Sequence, residues 1–231
     1  MGDILQMYTN EFELYKDKFY VASNPTYRTA IAINADPTAI AATEGCFSLF
    51  NTAVRTAATS SNPNTVIIPL YIKMYCTVAA ASATDWSFRL ALDVKERYSS
   101  GGTALTVKNT FVDTLTSFTA KTAKGEAYFG NLTLVAAGTE SQVGNAKFHS
   151  ATAGALVGDE YLITFGDWGG SSALLSASAA QSYHHANSPV FIGPGCSLIM
   201  QPFGTSAATT AAQFEVECSW IEARRGDSKP F

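Results

Sequence analysis

The chain has 231 residues, 47% of them hydrophobic and 12% aromatic but only 15% charged, a composition that supplies a packed core and excludes a disordered chain. Fifteen Lys and Arg against nineteen Asp and Glu give a formal charge of −4 with no basic run, so neither nucleic acid nor an anionic membrane surface is expected as a partner. The acidic N-terminus does not read as a signal peptide and no apolar stretch is long enough to span a bilayer, which predicts folding in the cytosol where the chain is made.

In chain order, Leu5, Tyr8, Phe12, Tyr15 and Phe19 recur at spacings of three and four and would share one helical face, although Glu11 to Leu14 also alternates. Such an aromatic arm, too short for a core of its own, must pack on its own domain or on a neighbouring subunit. Tyr27 to Asn34, Cys46 to Asn51 and Val66 to Thr77 read as strands, with Leu70, Ile72, Met74 and Cys76 on one face and Pro69 predicting an edge or a bulge. Trp86 to Lys95 alternates most cleanly, with Trp86, Phe88, Leu90, Leu92 and Val94 assigned to the core. After a turn at Ser99 to Gly102, further strands are expected at Leu105 to Lys108, Leu115 to Ala120, Ala127 to Val135 and Tyr161 to Phe165. Gly166 to Ser188 is long and biased, and reads either as an exposed contact surface carrying Trp168, Tyr183 and His184 or as a short helix over Ala173 to Ser182. Finally, Ser188 to Glu222 reads as two strands folded back on each other, with Phe214, Val216, Cys218 and Trp220 on the buried face of the second. No internal helix longer than about two turns is expected after the arm, so the count favours two antiparallel sheets packed face to face.

Chemistry is sparse. Cys46, Cys76, Cys196 and Cys218 are widely spaced and read as reduced, buried thiols; a symmetric terminal hairpin would instead bring Cys196 next to Cys218. His149, His184 and His185 lack the spacing of a metal site, so no metal or cofactor is expected. Glu215 and Glu217 are the close carboxylate pair on a strand, about 7 Å apart at i, i+2 and near the separation used in glycoside hydrolysis. Exposed strands carry Glu for solubility as well, and no nucleophile elbow, phosphate loop or dinucleotide fingerprint occurs, so no enzyme is expected. Arg225-Gly226-Asp227 and the sequon Asn131-Leu132-Thr133 are short matches that arise by chance.

The ending PVFIGPGCSLIMQPFGTSAATTAAQFEVECSWIEAR resembles the C-terminal hairpin of jelly-roll virion proteins of tailed bacteriophages. The stretch IIPLYIKMYCTVAAASATDWSFRLALDVKERYSSGG is similar to their long central hairpin. Together these cover about a third of the chain. The resemblance implies an all-β, jelly-roll-like sandwich at 25–223 between an N-terminal arm (1–24) and a tail (224–231). It implies a capsid cement or decoration protein made in the host cytoplasm, a homotrimer on the virion surface that binds the major capsid protein. Tail, head-fibre and small capsid roles remain open because the arm and the Gly166 to Ser188 stretch have no counterpart. The alternatives from other classes are a carbohydrate-binding module using Trp168 and Tyr183, and a hydrolase, which would need the Glu215 and Glu217 face to be concave and open.

Overall fold

A computed structural model describes residues 18–34, 39–53, 65–80, 85–110, 123–149, 155–166, 182–204 and 210–224, the side chains at 85, 86 and 147–149 excepted. The strands are β1 (Phe19–Ser23), β2 (Ile31–Ala32), β3 (Glu44–Asn51), β4 (Thr65–Val78), β5 (Asp85–Asp93), β6 (Tyr98–Ala104) and β7 (Thr106–Asn109). They continue as β8 (Gly125–Leu134), β9 (Glu140–His149), β10 (Glu160–Phe165), β11 (Ser182–Asn187), β12 (Ser197–Gly204) and β13 (Gln213–Arg224). One sheet runs β11-β10-β4-β13-β1-β7 with β2 added against β13; the other runs β6-β8-β3-β12-β5-β9.

Eight of these strands define the topology. In chain order β1, β3, β4, β5, β9, β10, β12 and β13 pair first with last, second with seventh, third with sixth and fourth with fifth, every pair antiparallel. That is one long hairpin rolled so that alternate rungs fall in opposite sheets, which is a jelly roll. Between the layers lie Phe47, Phe88, Phe129, Met74, Ile72, Phe214 and Trp220, all at 1% exposure or less. The rings of Phe129 and Tyr161 both meet Phe214 edge-on, with centroids 6.3 and 6.0 Å away.

Phe88, Leu90, Phe214, Val216 and Trp220 are core residues as the alternation predicts, whereas the side chain of Trp86 lies outside the described set. Alternation fails where β4 bulges. In β4, Tyr71 opposes Ser219 and Pro69 opposes Trp220, leaving Leu70 unopposed and half-buried where it was expected beside Ile72. Pro69 has no N–H to give the ladder, so a bulge there removes a conflict instead of creating one. In β5 the register with β9 shifts between Leu90 and Ala91. The unopposed residue there is Val143 of β9, so β5 keeps its alternation: Leu92 is half-buried against the same core as Leu90, Ala91 joins the outer cluster, and Val94, beyond the end of the strand, is 60% exposed.

The expected terminal hairpin is also corrected. β12 belongs to one sheet and β13 to the other, so the chain between them crosses from layer to layer. β12 is buried on both faces: Leu198 and Met200 meet the core, while Ile199 joins Ala91, Leu132 and Leu134 in a second cluster. Cys196 and Cys218 therefore sit in or beside different layers, and none of the four cysteines is in a disulfide. Burial pushes the Cys46 and Cys218 thiols up and that of Cys76 to about 12, so these three are inert packing groups.

The first strand begins inside the expected arm. Phe19 and Tyr20 are extended, not helical, because β13 offers them a ladder; Tyr20 is buried and stacks on Trp220 with centroids 6.0 Å apart. Residues Phe19–Ser23, within the stretch read as the arm, thus pair with β13 in the first sheet. Asn131 to Thr133 is ordinary β8 strand, while the strand expected at Leu115 to Ala120 and the tripeptide at 225–227 lie outside the described residues.

Candidate functional site

Of the predicted contact residues, Leu5, Tyr8, Phe12, Tyr15 and Trp168 lie outside the described residues. Phe19 is half-buried in β1 opposite Ile221. Tyr183 is not a surface residue: it is buried on β11 and stacked on Tyr161 at 5.1 Å and 5°. The parallel pairing of β10 with β11 sets these two rings side by side, which explains why a residue read as loop is core. Ser182, expected at the end of a helix, is the first residue of β11. His184 Nε2 shares a 2.9 Å hydrogen bond with Thr164 Oγ1. Burial, reinforced by the adjacent His184, pushes the His185 imidazole below its usual range against the opposing effect of its hydrogen bond to the Asn145 backbone carbonyl. Among the described residues no group of three His, Cys, Asp or Glu could hold a metal.

Glu215 and Glu217, by contrast, do lie on an open concavity. A groove of about 570 Å³ runs over the outer face of the first sheet, within the roughly 300–1,000 Å³ of small-ligand sites. Its floor is built from cross-strand rows. Tyr75 stands between Glu160 and Glu215, and Lys73 stands between Leu162 and Glu217, whose other neighbour is Ser23. Lys108 of β7 and the loop carrying Tyr27 and Arg28 complete the wall. Lys73 Nζ is 3.0 Å from Glu160 Oε2, and the Tyr71 hydroxyl donates to Glu217 Oε1 at 2.5 Å. Burial first, and then the bond to Glu217 and its charge, raise the Tyr71 phenol far above its ordinary value, so it stays a proton donor.

The loop is fixed by one asparagine. Asn24 Oδ1 accepts from Val216 N at 2.7 Å, its backbone N–H donates to Val216 O at 3.3 Å, and Nδ2 donates to Thr29 O at 2.5 Å. Held this way, Arg28 adopts φ 61°, a left-handed conformation that costs a non-glycine residue roughly 1–3 kcal/mol. Its guanidinium lies 5.6 Å from the centroid of the Tyr27 ring, which is 82% exposed. The sequence flagged the two glutamates; Tyr27, Arg28, Tyr75 and Lys108 carried no signal because they come together only through pairing between distant strands.

The opposite end of the same strands is knotted by Glu222. Its Oε1 accepts from Lys124 N (2.7 Å), Gly125 N (2.8 Å) and Trp220 Nε1 (3.2 Å), while its own N–H donates to Lys18 O at 2.9 Å. Thr52 N donates to Lys124 O, Thr110 N to Phe19 O, and Asn51 Nδ2 to Thr65 O, and Arg224 pairs with Thr65. The described chain therefore borders residues 1–17, 54–64, 111–122 and 225–231 all at this one end.

No family model matches the chain, and no curated protein matches it. Among solved structures, the VP1 pentamer of human polyomavirus 6 overlays with a TM-score of 0.28 and 8% identity, covering 90% of this chain and 95% of that one. Unassembled KI polyomavirus VP1 pentamer overlays at 0.24 and 12% identity, covering 89% and 92%. The strand order described above, and not these overlays, defines the fold.

Proposed function

We propose that the chain is a structural virion protein without catalytic activity, a decoration or cement subunit that binds the outside of a phage head and bridges major capsid subunits. The observation that carries this reading is the polarity of the jelly roll. Around Glu222 the described residues Lys18, Thr52, Thr65, Thr110, Lys124 and Arg224 come together at one end of the double sheet. A double sheet with one distinct end suits lattice attachment, because contacts repeated by symmetry add through avidity. The low proportion of charged residues, 15%, limits the repulsion such contacts must overcome. The working oligomer in this reading is a homotrimer.

The test is co-sedimentation of the purified chain with undecorated capsids, alongside light scattering. Deletion of residues 1–17, which stops short of core residue Tyr20, is expected to weaken capsid binding roughly tenfold or more while leaving the melting temperature of the domain unchanged. A monodisperse monomer that never sediments with capsids, and is absent from purified virions by mass spectrometry, defeats the proposal.

A further inference from the structure

We infer that the groove over β4, β13 and β1 is a binding site for a neutral oligosaccharide. The inference is independent of capsid attachment. Charge comes first: Arg28, Lys73 and Lys108 are balanced by Glu160, Glu215 and Glu217, so the lining has no net preference for an anion or a cation. A phosphate or a nucleic acid backbone would meet three carboxylates. A strand-forming peptide needs a free sheet edge, whereas the floor strands β4, β13 and β1 are interior, and β7 at the edge of the described sheet lends the groove Lys108 alone. A helical peptide needs an apolar trough, and Pro25 and Val216 are the aliphatic residues among the lining.

What the groove does offer is a dense alternation of hydrogen-bond donors and acceptors around two phenol rings. Tyr27 and Tyr75 are 82% and 43% exposed. The negative face of such a ring accepts the polarised C–H face of a pyranose, and the charged groups around it match hydroxyls that both donate and accept. Glu217 and Glu160 are already oriented by Tyr71 and Lys73, and Asn24 fixes the loop, so the site is preorganised before a ligand arrives. The strained backbone at Arg28 fits this role, since it holds a cation and the Tyr27 ring at the rim.

The experiment is titration of the full chain with lactose, maltotriose and cellotriose up to about 10 mM, with sialyllactose as the anionic comparison, read by isotope-edited NMR and calorimetry. At least one neutral sugar is expected to shift the resonances of Tyr75, Lys108 and Glu215, with Tyr75→Ala weakening it by about tenfold. Arg28→Gly separates site from scaffold: it relieves the left-handed strain, so the melting temperature holds or rises while affinity falls. The proposal is overturned if no neutral sugar shifts groove resonances. It is equally overturned if sialyllactose binds more tightly than all three, or if folded Tyr75→Ala and Arg28→Gly variants bind as the wild type does.

Discussion

Glu222 shows how much one side chain can carry when a strand end is buried. Its carboxylate takes three N–H groups, from Lys124, Gly125 and Trp220, and the last two are buried. Glu222→Ala is expected to cost about 2–4 kcal/mol by urea denaturation, with Glu222→Gln, which keeps one oxygen in place, costing less than half of that. A second buried polar group is Arg97, fully enclosed on the outer side of the second sheet. Its guanidinium donates to Asp93 Oδ2 (2.9 Å), Glu140 Oε2 (2.6 Å), Val135 O (2.8 Å) and Ala42 O (2.6 Å), while Arg89 also pairs with Glu140. Burial alone would raise the Asp93 carboxyl, but the Gly138 N–H together with the Arg97 hydrogen bond and charge holds it below the usual carboxylate range. A depressed native value means that Asp93 stabilises the fold above its unfolded pKa of about 3.9 and loses that contribution as pH falls through the native value. Unfolding free energy measured downward from pH 5 should therefore fall less steeply in Asp93→Asn than in the wild type, and equal slopes would show that Asp93 is not the group responsible.

At the scale of elements, β5 is the test of how far alternation can be read. Phe88, at 0% exposure, sits between the layers, and Phe88→Ala is expected to destabilise the fold by about 3–5 kcal/mol by denaturant titration, an exposed site giving less than 1. The same strand is legible as far as Leu92, which packs half-buried against the core, and the pattern fails at Val94, which lies beyond the strand end and is exposed. β9 itself (ESQVGNAKFH) was missed, since small and polar residues make a strand only when a well-formed neighbour supplies the ladder. β6 was read as a turn for its glycines; Gly101 and Gly102 do have positive φ, yet they serve bulges in an edge strand opposite β8. Proline was the more informative signal, as Pro69 announced the irregularity in β4 that the structure places there. A pattern of two reports burial faithfully between bulges and says nothing about which sheet a strand joins. The pair β12 and β13 was therefore correctly patterned and wrongly partnered.

For the whole molecule, the candidate groove and the Glu222 end lie at opposite ends of β1 and β13. A subunit held by the latter would present the former outward. The rolled-hairpin topology has a further consequence, in time instead of space. Its innermost pair, β5 with β9, is closed by about fifty residues of chain, whereas β1 and β13 are joined across some two hundred. During synthesis the inner rungs can zip while the outer ones wait. Until Gln213–Arg224 leaves the ribosome, β4 and β1 lack the strand that lies between them, and each presents an open edge able to pair with another nascent chain. The final twelve-residue strand thus acts as the closing stitch of the fold, and the interval before it is placed is when this chain is most exposed to misassembly.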